Sequence, residues 1–189
     1  MANTSSIRGF QLVGRLGGGI PHVISMNLPA GDNTATFVGD PVKFAGDADS
    51  EGRPTIDQAG VGDAVCGVIV GFEPRAAALD AVHRPASTSV NARVCVDTSA
   101  LYEVQCSTAL TSADIGLNAD SNAGAGGGSA TSGASAYIID AGTKATTATL
   151  VYKIIGLVNR PDNEFGSSQK VIVKINNHQY GSHTGTAGV

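Results

Sequence analysis

The chain has 189 residues, 12 basic and 16 acidic side chains and a formal net charge of −4. Leu, Ile, Val and Phe make up about 23% of it, glycine about 13% and charged residues 15%. A helical bundle or coiled coil is disfavoured, and short strands joined by Gly- and Asn-rich turns are expected.

Residues 1 to about 20 read as an N-terminal arm. Ile7, Phe10, Leu12 and Val13 are apolar without period, and Gly17-Gly18-Gly19 follows as a hinge. The opening MANTSSIRGF has no apolar leader segment. An apolar arm needs a surface, and a neighbouring subunit is favoured over the same domain. Removing the arm is then expected to leave the fold intact. Residues 34–44, TATFVGDPVKF, begin the packed body, with Pro41 at a strand start or edge after a turn at Gly39-Asp40. Residues 46–63 are polar and read as a surface loop. Residues 64–72, AVCGVIVGF, form the strongest strand, apolar on both faces, where Gly67 and Gly71 admit a close neighbour. Residues 73–88 allow one or two helical turns between Pro74 and Pro85.

Alternation then becomes clean. In VNARVCV, Val90, Ala92, Val94 and Val96 face inward, and Asn91 and Arg93 outward. Tyr102, Val104 and Cys106 share a face of LYEVQC, as do Val171, Val173 and Ile175 of KVIVKIN. ATLVYKIIGLV, residues 148–158, is a further strand. Residues 119–136, ADSNAGAGGGSATSGASA, read as a Gly/Ala/Ser-rich loop. The expected fold is all-β: a small β-barrel or β-sandwich with an extended N-terminal arm (1–20), a single β domain with long loops (21–180) and a flexible C-terminal tail (181–189). A thin core favours a symmetric oligomer such as a homotrimer.

Catalytic motifs are wanting. GRLGGGIPH, residues 14–22, lacks the Lys and helix of a phosphate loop. Asp47, Asp49, Glu51 and Gly52 match half a calcium loop, but Gln58 stands where Glu is required and Pro54 interrupts. His22, His83, His178 and His183 have no i, i+4 pairing. Cys66, Cys95 and Cys106 are odd in number, lack CxxC spacing and sit in apolar runs. Such cysteines suit a reducing cytoplasm and have raised thiol pKa values. No catalytic, cofactor-binding or metal residue is assigned. With no Lys/Arg cluster and no Trp, nucleic acid is not an expected partner. A membrane is not expected either, because no apolar run reaches ~20 residues.

TFVGDPVKFAG, DADSEGRPTIDQAGVGDAVCGVIVGFEP, SADIGLNAD, KIIGLVNRPDNEFG and VIVKINNHQY together resemble the capsid cement, or head decoration, proteins of tailed phages. The resemblance runs from about residue 5 to 180. It implies a structural virion protein, made in the host cytoplasm and placed as a trimer on the outer surface of an icosahedral capsid. Its partner is then the major capsid protein, clamped against the pressure of packaged DNA. Candidate capsid or subunit contacts are Ile7, Arg8, Phe10 and Leu12 on the arm, Arg160, Asp162 and Asn163 in a polar turn, and Asn177, His178 and Tyr180 near the end. For each, a loop residue satisfying local backbone is the plainer alternative. A glycan- or receptor-binding surface protein and a trimeric β-fold hydrolase with metal-holding Asp residues are the other classes.

Overall fold

The three cleanly alternating segments become strands of two different sheets, VNARVCV in one and LYEVQC and KVIVKIN side by side in the other. The computed structural model describes residues 3–181 and 184–189, with backbone alone at residues 123–126. Five strands, β2 (Val23–Leu28), β3 (Pro41–Ala48), β4 (Pro54–Gln58), β5 (Gly67–Phe72) and β6 (Val90–Cys95), close a barrel in the order β2-β4-β3-β5-β6. Six more form one sheet: β1 (Gln11–Arg15), β7 (Ala100–Gln105), β8 (Asn118–Gly128), β9 (Ser135–Ala145), β10 (Tyr152–Leu157) and β11 (Lys170–Ile175). Its order is β1-β7-β11-β10-β8-β9. The sheet curls until β9 meets the end of β7, where the Ser107 amide donates to the Ile139 carbonyl at 2.8 Å. The fold is therefore all-β with a barrel, as the composition implies.

β5 is the shared wall, which explains its two-sided apolar sequence. Ile69 points into the barrel with Met26, Leu28, Ile56 and Val94. Val68 points into the curled sheet with Tyr102, Tyr137, Tyr152 and Val173. β6 divides in the same way, Val94 to the barrel and Cys95 to the sheet. Gly67 is needed where the two strands touch, since a Cβ there falls 2.4 Å from the Cys95 carbonyl oxygen. Gly71 has open space instead and follows a register shift between β5 and β6.

Five expectations are corrected. The Gly/Ala/Ser stretch 119–136 is mostly the β8–β9 hairpin, because β9 supplies the buried side chains and β8 the space for another ring. A Cβ on Gly128 would lie 2.5 Å from the Phe37 ring. The polar loop 46–63 contains β4, with Thr55 and Ile56 buried. Residues 73–88 are turns without a helix, tied down at Arg84. The tail from Thr184 onward is held by backbone: Gly188 donates to the Thr146 carbonyl at 3.0 Å, and Asn118 Nδ2 to that of Thr186 at 2.7 Å.

The fifth correction concerns the arm, which docks on its own chain. Phe10 is 1% exposed, stacks on Tyr152 at 4.5 Å between ring centres and meets Tyr102 edge-on. Its amide donates to the Gly39 carbonyl at 3.0 Å. Gly9 and Gly39, both at positive φ, press together where a Cβ on Gly9 would strike Ser135 at 2.4 Å. Further out, Asn3 Nδ2 donates to the Glu164 and Ser167 carbonyls, and its Oδ1 accepts the Glu164 amide. β1 then pairs with β7 as an edge strand. The accessible surface of 8481 Å² matches the about 8400 Å² of a folded 19.0 kDa monomer, with no allowance for a long undocked arm.

Candidate functional site

Docking of the arm creates a groove. Ser6–Gln11 form one wall, and the ends of β7 and β11 with the turn after β10 form the other. The open space is about 460 Å³ and is lined chiefly by Arg8, Gln11, Glu103, Arg160, Asp162 and Lys170. Three candidate contacts thus come together: Arg8, Arg160 and Asp162. Arg160 is fixed by a bidentate ion pair, Nη2 to Glu103 Oε1 at 2.9 Å and Nη1 to Oε2 at 3.2 Å. Asp162 lies 3.7 Å from its Nε. Arg8 and Lys170 have no ion pair among the described residues.

On the other side of the arm a second trough of about 550 Å³ runs between Ile7, Arg8 and the β8–β9 turn at Ser132–Ala134. Ile7, at 43% exposure, stands on that rim. Leu12 is half-buried against the sheet core. Tyr180 is 49% exposed, remote in sequence and packed edge-on against Phe44.

The remaining candidates face the chain's own interior. Phe10 is a core residue. Asn163 closes its turn, with Nδ2 donating to the Val158 and Lys170 carbonyls and Oδ1 accepting the Lys170 amide. The Asn177 carbonyl accepts from Val65 and its side chain is buried. His178 Nδ1 accepts the Tyr180 amide at 3.1 Å, and its ring is buried. These four residues serve the fold, the alternative already attached to polar turns. His183 lies outside the described residues.

Glu103, Lys170, Gln11 and Asn3 are missed by sequence reading. The one available signal for Glu103 and Lys170 was their outward position on alternating strands, and alternation does not say that β7 and β11 are neighbours. The acidic loop is occupied by a cation of the chain: Asp49 Oδ2 and Glu51 Oε2 each lie 2.8 Å from the Arg53 guanidinium. Among the described residues no three His, Cys, Asp or Glu side chains are grouped to hold a metal. Burial pushes the Cys66 and Cys106 thiols up to about 12, so both are protonated at neutral pH.

Two buried titrating groups flank these elements. Burial pushes Asp40 up to about 6 from 3.8, although it accepts from Phe37 and Gln58. Burial pushes His178 down to about 4 from 6.5. Native Asp40 keeps its proton to higher pH than the unfolded chain, so its contribution falls as pH rises from about 4 to 6. Native His178 stays neutral while the unfolded chain protonates, so stability is lost as pH falls from 6.5 towards 4. The two slopes oppose each other in one window. Asp40→Asn is therefore expected to expose the His178 slope, adding a loss of roughly 3 kcal/mol between pH 6.5 and 4. Urea unfolding at four or more pH values reads this, and parallel profiles for wild type and variant contradict it.

No protein-family model matches the chain, and no curated protein or solved structure matches it at a significant level.

Proposed function

We propose that the chain is a capsid cement protein that binds, as a homotrimer, the outer surface of an icosahedral phage head. The observation that carries this reading is the resemblance in five phrases, which spans both sheets. TFVGDPVKFAG contains the start of β3, and DADSEGRPTIDQAGVGDAVCGVIVGFEP contains β4 and β5. KIIGLVNRPDNEFG contains most of β10 and the turn bearing Arg160 and Asp162, and VIVKINNHQY contains most of β11 and Tyr180. Two features agree with it. The mild negative charge suits an outer face better than a DNA-lined one. The groove is preformed, so docking costs little ordering entropy.

The mechanism is thermodynamic linkage. A protein that binds the expanded shell more tightly than the unexpanded or ruptured one stabilises the expanded shell, and many copies multiply a modest contact. The arm acts by shaping the groove on its own chain. Co-sedimentation with expanded and unexpanded shells lacking the protein tests this, alongside light scattering of the free protein. Saturable binding to expanded shells and a mass near three times 19.0 kDa are expected. Equal binding to both shell forms, or none, overturns the reading.

A further inference from the structure

The groove holds cations in excess of the needs of the fold. Six of the 12 basic side chains are ion-paired within the described residues: Arg15, Lys43, Arg53, Arg84, Lys144 and Arg160. Two of the others, Arg8 and Lys170, line the same groove from opposite walls, one on the arm and one at the start of β11. Between them, Arg160 is held rigid by Glu103. Arg160 carries five N–H donors, and Glu103 takes two of them. The chain as a whole is acidic, so this is a local inversion of sign. Its shape also matters. The groove is open along its length, its walls are backbone and polar side chains, and it has no deep apolar pocket for a small molecule.

We infer that this groove seats an acidic segment of the shell protein, with carboxylates on Arg8 and Lys170 across the fixed Arg160–Glu103 pair. The inference rests on the cement reading and names the chemistry of its contact. A carboxylate fits better than a bare anion such as phosphate because Glu103 and Asp162 border the site. They repel a compact multiply charged group, while a peptide can spread its charges along the groove and give amide donors to those two carboxylates.

The test compares full-length wild type with Arg8→Gln/Lys170→Gln and, as a control of equal charge change, Arg75→Gln/Arg93→Gln on the barrel side. Arg8 and Lys170 have no ion-pair partner to lose among the described residues, so thermal midpoints serve to show that the fold is kept. Two exposed charge contacts correspond to about 10-fold in affinity. The groove variant is expected to bind expanded shells about 10-fold more weakly, and the control to bind as wild type. Hexaglutamate is expected to displace wild type, and hexalysine or inorganic phosphate at equal charge to do so far less. Wild type that binds shells while the groove variant binds equally well overturns the groove assignment and leaves the cement reading standing. Equal losses in both variants, or equal displacement by phosphate, also overturn it. Wild type that binds no shell overturns the cement reading, and this one with it.

Discussion

Arg84→Ala is expected to cost about 3–5 kcal/mol of folding stability, the loss typical when one partner of a buried ion pair is removed. The guanidinium is fully buried and all five donors are used. Nε donates to the Thr88 carbonyl at 2.8 Å. Nη1 donates to Asp32 Oδ2 at 2.8 Å and to the Thr34 carbonyl, and Nη2 to the Pro29 and Asp32 carbonyls at 2.6 and 2.8 Å. One side chain thus closes the loop leaving β2 against the segment entering β6. Truncation takes a donor from four carbonyls and from the Asp32 carboxylate and opens a cavity among them. Arg84→Lys keeps the charge for Asp32 but offers three donors from a single nitrogen, so an intermediate loss is expected. Urea denaturation of the three proteins reads the series. A loss below about 1 kcal/mol for alanine would contradict the staple role.

Phe10→Ala is expected to cost about 3–5 kcal/mol, as for a large aromatic removed from a core. The ring sits between Tyr152 and Tyr102, at 4.5 and 6.3 Å between centres. Such aromatic contacts add to the area buried. Removing residues 1–16 is expected to cost at least as much, because β7 also loses β1 as its neighbour. This reverses the expectation that the arm is dispensable for folding. Ile7→Ala serves as the contrast, since Ile7 is 43% exposed and its loss is expected within about 0.5 kcal/mol. Thermal unfolding and amide exchange at Tyr102 and Leu101 distinguish the outcomes. A truncated chain that melts with wild type would restore the arm to the role of a free appendage.

Much of the fold was legible where one face of a strand is buried and the other wet. β6, β7 and β11 show that alternation, and β5 shows the continuous apolarity of a wall between two cores. β2, VISMNL, escaped because Ser25 and Asn27 interrupt its apolar run, although Met26 and Leu28 are fully buried. β8 escaped because glycine reads as flexibility, whereas Gly128 here makes room for the ring of Phe37. The docked tail is held by main-chain hydrogen bonds, which no side-chain pattern announces. For the site, a polar turn and an arm pointed to Arg160, Asp162 and Arg8. The same reasoning also selected Asn163 and His178, because turn residues that satisfy backbone and turn residues that meet partners share a composition. Glu103 and Lys170 required knowledge of which strands adjoin.

The most direct measurement is the rupture temperature of expanded phage heads that lack this protein, with packaged DNA inside, before and after the purified chain is added back. A saturable upward shift, reached at a fixed number of copies per head, is the expected result. Heads that rupture at the same temperature with and without bound protein would contradict a cementing role.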